Sequence, residues 1–192
     1  MAKGKQEVEI KFRANDLKAL TDRLRKAGFR LKTRRTIETN TLFDNAQREL
    51  SARREVLRIR RYGEAWTLTH KSGGTAGRHK SRVETETVVA DGEALTAVFA
   101  SLGFQPSFRY EKFRSEWTDG KGHVVLDETP IGNFGEIEGS AAWIDRTART
   151  LGVTEQDYIT ASYAGLFFDW KEKTGSPANE MTWKAITGRN KR

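Results

Sequence analysis

The chain has 192 residues, 36% apolar and 31% charged, a formal charge of +8 and no cysteine. That length suits one domain of ordinary size or two small structural repeats, and the missing thiols exclude disulfides and thiolate metal sites. No stretch reaches the roughly 18 apolar residues of a membrane span, and Met1-Ala2-Lys3-Gly4-Lys5 carries no apolar leader core, so a cytoplasmic protein with polyanionic partners and no membrane association is expected.

In chain order, a first strand carries alternate glutamates, Glu7 and Glu9. A helix over 15–28 follows, with Leu17, Leu20, Leu24 and Ala27 at helical spacing and Gly28 as its stop. Turn signals then separate strands over 38–44, 56–61, 65–71 and 82–89. A second helix over 91–103 has Asp91 as its cap and Leu95, Val98, Phe99 and Leu102 apolar. Strands over 109–118, 123–127 and 135–138 lead to helices over 141–151 and 155–167, the last capped by Thr154. Residues 171–192 read as a polar basic tail in which Trp183 and Ile186 could dock weakly. The two early helices echo each other 75 residues apart, and Glu84 and Glu86 echo Glu7 and Glu9 at 77. The expected organisation is therefore one domain over 1–170, with pseudo-repeats at about 7–77 and 84–140 and closing helices at about 141–168.

Successive side chains of a strand point to opposite faces. Here one face of nearly every strand is ionic: Glu7, Glu9 and Lys11; Arg58 and Arg60; Lys71; Arg82, Glu84 and Glu86; Lys112, Arg114 and Glu116; Glu136 and Glu138. A sheet with one solvated face would explain the alternation alone. Such faces usually include neutral polar residues, however, and these charges are sorted, acids at the first and last strands and bases between. If the sheet closes with this face inward, the charges share a confined lumen where an unpaired charge is costly. Metal ions and a highly charged anion would supply the missing partners, and closure removes the edge strands.

These residues resemble the CYTH superfamily, the triphosphate tunnel metalloenzymes, over about 7–168. Glu7-Val8-Glu9-Ile10-Lys11 is similar to its ExExK motif. Leu57-Arg58-Ile59-Arg60 resembles its LRIR strand, Leu68-Thr69-His70-Lys71 its LTxK strand, and Arg82-Val83-Glu84-Thr85-Glu86 its RxExE. Lys112-Phe113-Arg114 resembles KxR, and Leu126-Asp127 with Gly132, Phe134 and Glu136-Ile137-Glu138 resembles LD…LGxFxEIE. Leu42 stands where an aromatic is usual and Ile131 where a leucine is, neither at a charged position. The resemblance implies an α+β fold, a closed eight-stranded antiparallel tunnel in two pseudo-repeat halves with helices outside. It implies Mg²⁺ or Mn²⁺ held by Glu7, Glu9, Glu136 and Glu138 with Asp127, and Glu84 and Glu86 supporting them. Lys11, Arg58, Arg60, Lys71, Arg82, Lys112 and Arg114 are implied to grip phosphates, and Glu7, Glu9 and Lys11 to serve catalysis. The chemistry agrees: glutamates at i and i+2 point the same way, hard cations take oxygen ligands, and arginine forks match phosphate.

Other signals are weaker. The loop over 72–81 lacks a glycine directly before Lys80 and so misses the GxxxxGK[ST] pattern; a mobile loop over the tunnel mouth is expected, with Arg78 and Lys80 as late contacts. His70, His79 and His123 lack metal-ligand spacing, Tyr163 is expected to pack, and the basic run from Arg25 to Arg35 reads as a solvated surface. Hydrolysis of a small-molecule triphosphate (inorganic, thiamine or nucleoside) ranks first. The class IV adenylyl cyclase reaction, ATP to cyclic AMP and pyrophosphate, is the alternative. A non-catalytic polyphosphate or RNA binding module comes third, because pure anion binding gains nothing from acids. A homodimer is left open.

Overall fold

The computed structural model describes residues 4–75 and 77–189. Its elements are β1 (Lys5–Arg13), α1 (Leu17–Lys26), β2 (Arg30–Asn45), α2 (Glu49–Ala52), β3 (Val56–Tyr62), β4 (Ala65–Lys71), β5 (Lys80–Val89), α3 (Gly92–Ser101), β6 (Phe104–Thr118), β7 (His123–Thr129), β8 (Gly132–Glu138), α4 (Ala141–Leu151), α5 (Tyr163–Thr174) and α6 (Trp183–Thr187). The strands form a closed antiparallel barrel in the order β1-β5-β4-β3-β2-β6-β7-β8. Strand β1 closes it, pairing with β5 from Lys5 to Glu9 and with β8 from Glu9 to Arg13.

Two halves are evident, β1-α1-β2-β3-β4 and β5-α3-β6-β7-β8. Asp16 and Asp91 cap α1 and α3 by accepting from backbone N–H groups, Ala19 in the first and Glu93 and Ala94 in the second, all at 2.9 Å. Strands β1 and β5, like the two helices, begin 75 residues apart. The β1–β5 ladder is symmetric under that shift about the Glu7–Arg82 pair. Glu7 therefore corresponds to Arg82, and the 77-residue echo of the glutamate pairs does not mark equivalent positions.

The apolar side chains form two clusters, one on the outward face of the strands and one on the inward-facing positions Phe108 and Phe134 at the end of the barrel that α5 covers. Ile10, Phe12, Leu24, Val124, Ile137, Ile144 and Leu151 form one cluster under α1 and α4. Phe108, Phe134, Leu166, Phe167 and Met181 form another under α5. Gly135 is required where it stands, since a Cβ there would collide with the Phe12 ring.

Four expectations need correcting. The helix expected over 155–167 is a single 3₁₀ turn, Glu155–Asp157, followed by an extended stretch and then α5. The cause is β1: where β5 no longer pairs with it, Ile159 does, exchanging two backbone hydrogen bonds with Lys11 at 3.0 and 2.7 Å. Thr154 does cap that turn, in a capping box with Asp157, while Ser162 caps α5. Residues 171–189, the described part of the expected tail, are not free. Helix α5 runs on to Thr174, Met181 hydrogen-bonds the backbone of β6 at Arg109 and Glu111, and Ala178, Met181 and Trp183 are buried. This segment covers the β6 edge that β7, which pairs only from Phe113, leaves open. The described part of the loop over 72–81 is tied down: His79 Nε2 lies 2.9 Å from Asp145 of α4, and Arg78 bridges Asp145 and Glu155. Strands β2 and β6 also start earlier than expected, at Arg30 and Phe104.

Candidate active site

The barrel encloses a cavity of about 570 Å³. Its wall includes Glu7, Glu9 and Lys11 from β1, Arg58 and Arg60 from β3, Lys71 from β4, Arg82, Glu84 and Glu86 from β5, Lys112 and Arg114 from β6, and Glu136 and Glu138 from β8. All the candidate residues named from the sequence except Asp127 thus face one space. Asp127 has no exposed surface. Its oxygens accept from Lys112 Nζ at 3.1 Å, Arg114 Nε and Nη2 at 2.8 and 2.7 Å, and the Tyr163 hydroxyl at 2.5 Å. It lies on the lumen side of β7, two residues from the wall residue Val125, and orients these cations.

Within the lumen, acids and bases hold each other. Lys11 Nζ lies 2.6 Å from Glu136, Lys71 Nζ 2.7 Å from Glu7 and 3.1 Å from Glu84, and Lys80 Nζ 3.1 Å from Glu9. Arg60 pairs with Glu86 at 3.0 Å, and Arg58 lies 3.6 Å from Glu86 and 3.9 Å from Glu84. Arg114 also reaches Glu136 at 2.5 Å. Arg82 differs: among the described residues it has no ion pair, and its buried Nε has no hydrogen-bond partner.

The electrostatics follow from confinement. Burial pushes the Glu7 carboxyl up; Lys71 opposes this, but Glu9 and Glu84 add to it, and the group ends at about 7. Glu9 is buried too, yet Lys11, Lys80 and Lys71 outweigh both burial and Glu136 and hold it at about 2. Burial also raises Glu136, but Lys11, Arg114 and Lys112 bring it well below the usual carboxylate range. For Lys11, Glu136 and Glu9 overcome desolvation and raise its value, so it stays an ammonium and cannot be a general base near neutral pH.

Sequence reasoning missed Glu38. It is fully buried on β2, with Nζ of Lys112 at 3.4 Å, Nε of Arg114 at 3.7 Å and Asn40 Nδ2 donating at 3.0 Å. The alternation Glu38, Asn40, Leu42, ending in the wall residue Leu42, was the available signal. Tyr163, expected only to pack, also reaches the wall.

Among the described residues no three carboxylate or imidazole side chains are grouped tightly enough to hold a metal as they stand. The donor set nevertheless fits Mg²⁺ or Mn²⁺: it consists of hard carboxylate oxygens, and Glu9 and Glu84 lie near enough to Glu7 to add to the rise that burial causes in it.

The CYTH domain family model matches residues 5–163. The chain belongs to the CYTH family. A Methanocaldococcus jannaschii protein named "putative adenylate cyclase" is 27% identical over 146 residues, covering 76% of this chain and 83% of that one. A Vibrio parahaemolyticus structure given the same name has a TM-score of 0.78 at 20% identity, covering 86% of this chain and 99% of that one. A Hippeastrum "putative adenylyl cyclase", described as revealing a dominant triphosphatase activity, has a TM-score of 0.64 at 22% identity, covering 85% and 95%. These two structural likenesses are of fold.

Proposed function

We propose that the protein hydrolyses the terminal phosphoanhydride of a small-molecule triphosphate with the help of a divalent metal. One observation carries this reading: cations from five strands, Lys11, Arg58, Arg60, Lys71, Arg82, Lys112 and Arg114, meet carboxylates in a single cavity. Seven wall glutamates plus Glu38 and Asp127 match the nine wall lysines and arginines, so the lumen alone is close to neutral. A triphosphate placed there brings excess negative charge, which a divalent cation offsets.

Binding on this reading is an exchange of partners. Phosphate oxygens take Lys11, Lys71, Arg60 and Arg114 from Glu136, Glu7, Glu86 and Glu136 respectively, with arginine forks gripping two oxygens each. Glu7 and Glu136, so released, would hold Mg²⁺ or Mn²⁺ together with Glu9 and Glu138. A bound metal supplies charge opposite the phosphoryl oxygens and lowers the pKa of its water. Lys11 keeps its proton and neutralises charge at the reacting phosphoryl group. Asp127 and Glu38 fix Lys112 and Arg114 from behind, so the cations need little reorganisation during reaction.

The names of the relatives favour a second reading, cyclisation of ATP to cyclic AMP and pyrophosphate, which needs the same grip on three phosphates. The described activity of the Hippeastrum protein supports ranking hydrolysis first. The test is incubation with Mg²⁺ or Mn²⁺ and, separately, inorganic triphosphate and ATP, resolving orthophosphate, pyrophosphate and cyclic AMP. Orthophosphate from triphosphate is expected; cyclic AMP as the main product from ATP would reverse the ranking. Glu9→Gln should abolish metal-dependent turnover and leave the fold intact by circular dichroism, and undiminished turnover would remove Glu9 from the metal site.

A further inference from the structure

Strand β1 carries Glu9 and Lys11, a carboxylate and an ammonium that the proposed reaction uses side by side, and its two edges are covered differently. On one edge β8 pairs without a break from Glu9 to Arg13. The other edge is shared. Strand β5 pairs only from Lys5 to Glu9, where the partner is its own first residue, Lys80. Ile159 then takes over, exchanging two backbone hydrogen bonds with Lys11 at 3.0 and 2.7 Å. The change of partner falls at Ile10, between the two functional positions. Lys80 also reaches Glu9 by its side chain, with Nζ 3.1 Å from the carboxylate.

Both covering segments come to one carboxylate outside the barrel. Asp145 Oδ1 lies 2.9 Å from His79 Nε2 and accepts from the Tyr158 hydroxyl at 3.1 Å, while Oδ2 lies 2.9 Å from Arg78 Nη2. Arg78 and His79 lead directly into Lys80, and Tyr158 leads directly into Ile159. The His79 and Tyr158 rings stand 6.0 Å apart, and Arg78 continues to Glu155. Asp145 itself has a firm base. Its neighbours on α4, Trp143, Ile144 and Ala148, are buried in the same cluster as Ile10 and Phe12 of β1. An ordinary surface ion pair would account for Arg78 alone. It does not account for a phenol and an imidazole from two distant segments meeting on the same oxygen, on a side chain only 17% exposed.

Resting on the reading of Glu9 and Lys11 as working residues of the lumen, we propose that Asp145 is a positioning residue for them. It clasps the loop before β5 to the segment before α5, and so fixes both halves of the β1 edge that Glu9 and Lys11 depend on, without touching a ligand. Small misplacements of reacting groups are costly even when the cause is remote, about a hundredfold in rate for 1 Å. Anion binding should suffer less. Of the seven proposed phosphate cations only Lys11 stands on β1; Arg58, Arg60, Lys71, Arg82, Lys112 and Arg114 stand on other strands.

The test combines amide hydrogen exchange by NMR with steady-state kinetics, on whichever of inorganic triphosphate and ATP the wild type converts, for the wild type, Asp145→Ala and Tyr158→Phe at one pH. Asp145→Ala is expected to speed exchange of the Lys11 and Ile159 amides about tenfold or more and leave the β7–β8 ladder protected. It is expected to lower kcat about ten- to a hundredfold and keep KM within about threefold. Tyr158→Phe, which removes one donor and keeps the ring, should shift the same quantities the same way by less, and decides the matter if Asp145→Ala does not fold. Unchanged exchange at the two amides would overturn the clasp whatever the turnover. Faster exchange with unchanged kcat, or a loss carried by KM, would overturn the positioning role and leave the proposed function standing. No turnover of either substrate by the wild type would remove the proposed function and this inference with it.

Discussion

Helices α1 and α3 occupy equivalent places in the two halves, each begun by an aspartate cap and each laid along the outside of the barrel. Helix α4 packs over α1, whose Leu20 and Leu24 are buried, while α3 buries only Gly92 and leaves Val98 and Leu102 half or more exposed. The strands before them diverge inside the barrel in a parallel way. Glu7 on β1 is locked to Lys71, and its equivalent on β5, directly across the ladder, is Arg82 with no ion pair among the described residues. The repeated backbone therefore supplies a symmetric frame, and the chemistry comes from breaking that symmetry at matched positions, acid against base inside and covered against open outside.

The break with the largest consequence concerns the second half alone. Asp127 on β7, with no exposed surface, holds two cations and a phenol, whereas β3 and β4 of the first half carry no carboxylate. Asp127→Ala leaves Lys112 and Arg114 short of their shared partner and should cost about 3–5 kcal/mol of stability, read as a lower urea midpoint. A loss below about 1 kcal/mol would mean that Glu38 and Glu136 suffice to hold them.

Glu38 tests the same network from the first half. Burial raises its carboxyl, but Lys112, Arg114, Arg60 and Arg58 together lower it to about 2, against an ordinary 4.5. A depressed folded-state value means that the unfolded chain binds the proton more tightly. The contribution is complete above about pH 4.5 and disappears as pH falls towards 2. Its size is on the order of 3 kcal/mol at most, and Glu38→Gln should flatten the acid limb of stability against pH over that window. An unchanged acid limb would show that another carboxylate dominates it.

Much of this frame could be read from residue order. The i, i+2 charges on β1, β3, β5, β6 and β8 predicted which side chains share the lumen, since a strand has only two faces and the apolar one must go under the helices. The beginnings of β2 and β6 were not legible, because Arg30 to Arg35 holds one apolar residue, Leu31, among four bases, and β6 carries near its start Pro106, which cannot donate to a ladder. The docking of 178–187 escaped notice for a different reason. Its apolar residues are few, and what recruits them is an unpaired stretch of β6 that exists only once the barrel has closed. Asp127 was assigned by motif; its burial depends on α5 bringing Tyr163 across.

Arg82 sharpens the comparison inside the lumen. Because no carboxylate holds it, Arg82→Ala should leave thermal stability nearly unchanged and weaken triphosphate binding by about 1.5–3 kcal/mol by calorimetry, the worth of a charged hydrogen bond. Arg60→Ala should lose a similar amount of binding and, in addition, free Glu86 from its partner. Equal affinity of the Arg82 variant and the wild type would place Arg82 outside the anion's reach.

The smallest effect is expected on the outer surface of α3, and its smallness is informative. Leu24 on α1 is fully buried between the barrel and α4, so Leu24→Ala should cost about 2–5 kcal/mol through lost contacts and the cavity left behind. Val98 on α3 is 50% exposed, and alanine has the better helix propensity, so Val98→Ala should change stability by less than about 0.5 kcal/mol at low protein concentration. A larger loss, growing with protein concentration, would mean that α3 gains from a second chain the cover that α4 gives α1 within the first.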